Sequence, residues 1–268
     1  QKDVCEAPDE EVILLRGTKP RGDKPAPLLE YDDSSETLAL RTSLQAINKH
    51  LAAAEIDCGL SSVNAKRRRL RRIFHNGDFH SGGRLYGGFW QEMSSLERLE
   101  NITIDDDSTV ELDVGQMGIL ALYNIAGATP PKGDLYDLSS AGIPVAARDG
   151  IKKVMNAMVS ASKPLTRLPK GARQALPRRH SLQDVTAAIN AVHPKLSGQW
   201  CQGLYGAVWR IESDALVQVL TRLNQLGITP LPIHDAIVVA SKDKAQAKKV
   251  MLEVYKTALG VEPGISEA

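Results

Sequence analysis

The sequence predicts an α+β fold, and three stretches carry that prediction. In Val110-Glu111-Leu112-Asp113-Val114 apolar residues alternate with acidic ones, the two-residue period of a strand with one buried face. From Gln116 onward the period becomes helical, with Ile119, Leu122, Tyr123 and Ala126 three and four apart. Nearer the C-terminus, Ile237-Val238-Val239 is a β-branched run, and Pro232 with residues 227–230 marks the turn ahead of it.

Taken in order, residues 1–36 mix charge, proline and short apolar pieces, and Val12-Ile13-Leu14-Leu15 is the one strand expected there. Leu38, Leu40, Leu44, Ile47, Leu51 and Ala54 make 37–56 an amphipathic helix, with Glu36 near its start. Residues 61–73 read as a second, very basic helix or loop. Gly82, Gly83, Gly87 and Gly88 make 74–92 a glycine- and aromatic-rich segment that permits close backbone approach. Residues 102–114 form a hairpin around Asp105-Asp106-Asp107, whose carboxylates read as turn formers. Helices are expected at 116–126, 134–140, 145–162, 181–192 and 204–226, then a hairpin around His234-Asp235, then a last helix at 242–258. The proline-rich, basic stretch 163–180 reads as a mobile loop. The division expected is an N-terminal region, 1–100, and a second region, 101–268, with helices inserted at about 134–200.

The candidate chemistry sits at strand ends. Asp235 follows His234 at the tip of a hairpin between apolar runs, where an unused charge is costly to hold and a divalent cation is its usual partner. Asp113 has the same setting, at the end of a strand that runs into a helix. Two such carboxylates suit two-metal phosphoryl transfer, in which Mg²⁺ ions about 4 Å apart clamp the attacking and leaving oxygens. Between them, Arg148 and Lys152 are four apart and share a helical face, a cationic pair able to clamp a triphosphate.

A chain of 268 residues with 43% hydrophobic content can bury a sizeable core. The formal net charge is only +1, but its distribution is uneven. Lys66-Arg67-Arg68-Arg69-Leu70-Arg71-Arg72 is one basic run, and Lys163, Arg167, Lys170, Arg173, Arg178 and Arg179 form another, while acidic residues gather at 3–11, 30–36 and 105–113. That segregation suits a basic channel on a neutral protein, with phosphate contacts from Arg67, Arg68 and Arg69 and no reading of bases. Arg84, in its glycine-rich setting, suits either a nucleic-acid backbone contact or a turn. Cys5, Cys58 and Cys201 show neither zinc-type spacing nor an even count, so a reducing, cytoplasmic setting is expected. No apolar run approaches 18 residues, so no membrane partner is expected. The start at Gln1-Lys2-Asp3 is neither a Met start nor a signal peptide, and the chain reads as part of a longer protein or replication assembly.

The order of these motifs resembles family A DNA polymerases, the DNA polymerase I type, and also single-subunit phage-type RNA polymerases. The resemblance covers roughly 80–258. It rests on Asp113-Val114-Gly115-Gln116-Met117-Gly118 in a strand-to-helix turn, Gly133-Asp134-Leu135-Tyr136 ahead of a helix bearing Arg148-x-x-x-Lys152, Ile211-Glu212-Ser213-Asp214 on the next helix, and His234-Asp235 on a hairpin. It implies a right-hand architecture: an antiparallel palm sheet with a helical thumb, placed in 1–100, and reduced fingers. It implies templated nucleotidyl transfer on a primed DNA template, with RNA as the alternative, in a bacterial or phage-encoded setting. Asp113 and Asp235 would hold two Mg²⁺ ions, with Mn²⁺ as an alternative. Lys152 would act in catalysis, and Arg148, Lys152, Gln116 and Gly118 would face the nucleoside triphosphate. His234 would lie near the primer.

The sequence also departs from the family. Ala236 stands where a Glu usually follows the His-Asp pair, and Asn156, Ser160 and Ala161 stand where the fingers helix carries an aromatic residue and then Tyr-Gly. Gly118 replaces the Glu that crowds the sugar 2′ position in the DNA polymerases, and phage-type RNA polymerases resemble this chain there. A ribonucleotide-using polymerase or primase, and a non-catalytic nucleic-acid-binding module of a replication protein, are the alternative readings.

Overall fold

The computed structural model describes residues 10–20 and 25–267, so Cys5 and most of the first acidic group lie outside it. The elements run β1 Ile13–Arg16, β2 Leu28–Leu29, α1 Ser35–Ala53, β3 Ile56–Cys58, β4 Arg71–His75, β5 Asp78–Tyr86, α2 Ser95–Asn101, β6 Ile102–Ile104, β7 Asp107–Val114 and α3 Met117–Ile125. Then follow α4 Arg148–Ser160, α5 Ala172–Ala175, α6 Leu182–Val192, α7 Tyr205–Gln225, β8 Leu231–Ile233, β9 Ala236–Ala240, α8 Lys244–Leu259 and β10 Ile265–Glu267. The α+β class is therefore observed directly.

Local sequence explains most boundaries. Ser34, Ser94 and Ser181 each begin a helix with a reciprocal capping box, closed by Thr37, Glu97 and Asp184. On α1, Leu44, Ile47 and Leu51 are buried at spacings of three and four. The β6–β7 hairpin turns through Asp105 and Asp106 at φ 50° and 59°, a left-handed turn that Asp tolerates, so the expected role of these carboxylates is the observed one.

Two sheets organise the chain. The first has the order β2-β1-β4-β5, with β1 parallel to β4 and the other pairs antiparallel. The second is antiparallel, in the order β3-β6-β7-β9-β8, with β10 on β7. β7 is its centre: β9 pairs with residues 109–113, and β6 and β10 share the other edge. β9 is buried at all five positions, as a central strand demands.

The expected boundary at residue 100 does not separate two bodies. β3, from the first part of the chain, pairs with β6 and completes the second sheet. α7 touches α1 and β5 of the first part as well as α3 and α8. Gly83 allows that closeness, since a Cβ there would lie 2.9 Å from both the Phe74 ring and the Ser213 hydroxyl. The glycines of the 74–92 segment thus serve packing within this chain. Buried Arg72 adds hydrogen bonds to Ser213 at 3.0 Å and Asp214 at 2.5 Å.

Of the two readings of the basic segment 61–73, the loop is the observed one, a turn leading into β4. Two expectations are corrected. The helical thumb placed in 1–100 is replaced, among the described residues, by the first sheet with α1 packed against it. Residues 134–140 are not an α-helix, because the Leu135 N–H donates to the Gln116 side chain at 2.5 Å and that of Tyr136 to Asp134 at 3.1 Å. These side chains take the main-chain donors that a helix would use.

Candidate active site

β7 and the β8–β9 hairpin bring Asp113 and Asp235 together. Asp113 pairs in register with Ala236, the residue after Asp235, and the Val114 N–H donates to the Asp235 carbonyl at 3.3 Å. Both carboxylates line one cleft of about 330 Å³. Lys152, Asn156 and Ser160, four apart on one face of α4, line the same cleft, as do Gln116, Gly118 and Arg84.

The backbone is strained on both sides of this pair. Gln116 has φ 63° and His234 φ 55°, a region that costs non-glycine residues energy and persists where surroundings enforce it. His234 opens the two-residue turn that presents Asp235. Gln116 is held by its bond to Leu135.

Electrostatics mark the site. Asp113 is pushed up to about 6, first by burial and then by the neighbouring charge of Asp235, with Lys152 opposing. Burial raises Asp235 as well, against its own backbone N–H, Arg84, His234 and Lys152. His234 is lowered by burial and by Arg84, which favours the neutral ring.

A third carboxylate, Glu212 of α7, lines the cleft and was not singled out as a site residue from the sequence. It is 2% exposed and raised to about 7 by burial, with Asp235 and Asp113 adding to the effect and Arg84 opposing it. Arg84 binds it with hydrogen bonds of 2.6 and 2.8 Å and lies 4.1 Å over the Trp209 ring. Thus Arg84 is a cleft residue, but it is paired there. It falls in the Ile211-Glu212-Ser213-Asp214 stretch of the resemblance, but only the packing of α7 on β5 brings it to the aspartates.

Aromatic residues line the cleft from unexpected places. Tyr136, Tyr205 and Trp209 do so, with Tyr205 and Trp209 packed edge to face at 5.0 Å. Tyr136 lies under Arg148 and Lys152, at 5.1 and 5.9 Å from ring centre to cation.

Other sequence candidates lie elsewhere. Arg148 is outside the cleft lining and pairs with Asp134 at 2.5 Å. Arg67, Arg68 and Arg69 also do not line it. Arg68 donates to the carbonyls of Ala65, Ala54 and Ile56 at 2.6–2.7 Å, which ties its own turn to the C-cap of α1 and the start of β3. Arg67 pairs with Glu92 at 2.7 Å, and Arg69 donates to the Glu10 carbonyl. His234 is beside the cleft, edge to face with Tyr86 at 6.1 Å.

Asp113 and Asp235 are the residues suited to a hard divalent cation: adjacent oxygen donors whose charges burden each other. Among the described residues no group of three or more His, Cys, Asp or Glu side chains has the geometry to hold a metal. A cation here would complete its shell from substrate phosphate and water, the usual habit of Mg²⁺. Among the same residues no helix is long and apolar enough to cross a membrane.

No protein-family model matches the chain, and no curated protein matches it. Among solved structures, it is similar to the POL domain of Pol1 from M. smegmatis in complex with DNA primer-template and dNTP. That similarity has a TM-score of 0.46 and 11% sequence identity, over 87% of this chain and 51% of that one. The chain therefore spans about half the length of that structure.

Proposed function

We propose that the protein is a template-directed nucleotidyltransferase that extends a primer with nucleoside triphosphates. The observation that carries this reading is the meeting of Asp113 and Asp235 at adjacent strand ends in one cleft, facing Lys152. In the reaction a primer 3′-hydroxyl gives up its proton to solvent and attacks the α-phosphate, the bond from the α-phosphorus to the bridging oxygen of the β-phosphate breaks, and pyrophosphate leaves. Asp113 and Asp235 act as carboxylates, and burial, which raises the pKa of both, makes their ionised forms costly to hold there. When bound by them, two Mg²⁺ ions, or Mn²⁺, supply positive charge to the attacking and leaving oxygens. Lys152 meets the triphosphate and donates a proton to the departing pyrophosphate. Tyr136, Tyr205 and Trp209 offer apolar faces to the nucleotide, in place of the aromatic residue that the fingers helix lacks.

Gly118 favours a second reading of the sugar. A Cβ at this position would meet nothing within 4 Å, so the space beside Asp113 is open and a 2′-hydroxyl is not excluded. The enzyme then uses ribonucleotides as well.

The test is extension of a primed DNA template by the unmodified protein and by Asp235→Asn, with and without Mg²⁺. Metal-dependent extension that falls by about 10³-fold in the variant, with primer-template binding kept, supports the assignment. Near-normal extension by Asp235→Asn overturns it. Binding without extension by the unmodified protein points to a non-catalytic module.

A further inference from the structure

Between Asp149 and Asp184 there is no acidic residue. Those 34 residues carry eight cations, Lys152, Lys153, Lys163, Arg167, Lys170, Arg173, Arg178 and Arg179, in a chain of formal net charge +1. The last six are exposed, and none of them forms an ion pair with a carboxylate among the described residues. By contrast, Arg67, Arg71, Arg72, Arg84 and Arg210 all have acidic partners.

The segment is anchored. Ala172 and Leu176 are buried, and Gly150 of α4 lets them close, since a Cβ there would lie 2.6 Å from the Leu176 side chain. Lys153 donates to the Gly171 carbonyl at 3.0 Å. Pro164, Pro169 and Pro177 restrict the backbone between. The cations therefore stand on a platform fixed to α4.

That platform begins where the cleft wall ends. Ser160 lines the cleft, and Lys163 follows three residues later. Uncompensated like charges repel one another, a cost that a polyanion removes. There is no Phe, Trp or Tyr between Tyr136 and Trp200, so the segment has no ring for bases to stack on.

We infer that residues 163–179 form a second nucleic-acid surface, which grips the phosphate backbone of a strand continuing out of the cleft without reading its sequence. The inference rests on the nucleic-acid reading of the cleft and names a part of the partner that the cleft does not reach. Each phosphate neutralised adds about 0.9 to the salt dependence of duplex binding, and about 0.7 for a single strand.

The test measures binding of fluorescent primer-template across salt concentrations. It compares the unmodified protein with a variant carrying Lys163→Gln, Arg167→Gln and Lys170→Gln, and with a second carrying Arg178→Gln and Arg179→Gln, which leaves α5 untouched. Primer-templates with a long overhang and with none are compared. The expected result is a loss of about 10-fold or more at low salt and a shallower salt slope, for the long overhang only, and equally for unrelated sequences. An unchanged slope in both variants overturns the inference, as do a loss independent of overhang and a retained affinity for DNA with lost binding to anionic lipid vesicles or acidic peptide. Binding needs no turnover. If the unmodified protein fails to extend primers yet shows this pattern, the catalytic reading falls and the surface stands.

Discussion

Arg84 and Glu212, 128 residues apart in the chain, meet through two parallel hydrogen bonds of 2.6 and 2.8 Å in the wall of the cleft. The pair joins β5 to α7 and sets a buried carboxylate within electrostatic reach of Asp113 and Asp235. Glu212→Gln keeps the shape and removes the charge. At pH 8 it is expected to leave stability unchanged or to raise it, because a carboxyl raised to about 7 is costly to ionise in the fold even beside Arg84. It should also relieve both aspartates, moving the acid limb of the activity profile to lower pH. Urea unfolding reads the first effect and pH–rate profiles the second; a profile unmoved by the substitution would exclude coupling.

The raised carboxyls fix the sign of a pH effect on stability. Asp113, at about 6, and Glu212, at about 7, are protonated more readily in the folded chain than when unfolded. Their stabilisation is complete below about pH 4 and is lost as pH rises through 6 to 7. The metal-free protein should therefore lose part of its stability across that window, and Mg²⁺ should restore it at pH 8 more than at pH 5. Asp113→Asn should stabilise the metal-free protein at pH 8 by about 1–2 kcal/mol after allowance for solvent screening. Thermal melts at the two pH values, with and without Mg²⁺, check the sign.

Much of this was readable in the sequence, and the exceptions share a cause. The alternation at 110–114, the change of period at 116 and the β-branched run at 237–239 are local signals, and they located β7, α3 and β9 with both aspartates at their ends. Glu212 stood in the Ile211-Glu212-Ser213-Asp214 stretch of α7, but its place beside the aspartates was not readable, because its partners come from β5, β7 and the last hairpin. The main-chain partners of Arg68 were not readable, because a basic run looks the same whether it meets phosphate or backbone carbonyls. Leu135, Tyr136 and Leu138 are buried at spacings that mimic a helix, although Gln116 and Asp134 have taken the main-chain donors.

Lys152 and Arg148 should separate in kinetics, although both were expected to hold the triphosphate. Lys152 lines the cleft and acts on both aspartates, whereas Arg148 is paired with Asp134 over Tyr136. Lys152→Ala is expected to lower kcat and raise KM for the nucleotide, with kcat/KM falling about 10²-fold or more. Arg148→Ala should act on KM through the looser Tyr136, by about 10-fold or less. Equal effects in steady-state extension would place Arg148 on the nucleotide after all.

Gly118 gives the most selective prediction. It lies in the first turn of α3, its φ is not in the left-handed region, and a Cβ there would meet nothing within 4 Å. A side chain can therefore be added without strain. Gly118→Ala should stabilise the protein by about 0.5–1 kcal/mol, because glycine is a poor helix residue. Gly118→Glu should fold as well, with its carboxylate near a helix N-terminus. The unmodified protein is expected to incorporate ribonucleotides at rates approaching those of deoxyribonucleotides. Gly118→Glu, by filling the open space and leaving a 2′-hydroxyl without solvation, should lower ribonucleotide use selectively, by about 10²-fold or more. Tyr123 does not take that part, since it is buried and its hydroxyl is bonded to His193 at 2.8 Å. Single-turnover competition between the two nucleotide types decides the matter. A strong preference for deoxyribonucleotides in the unmodified protein would assign the discrimination to another cleft residue, with Tyr136 the first to replace, and would leave the two aspartates in their roles.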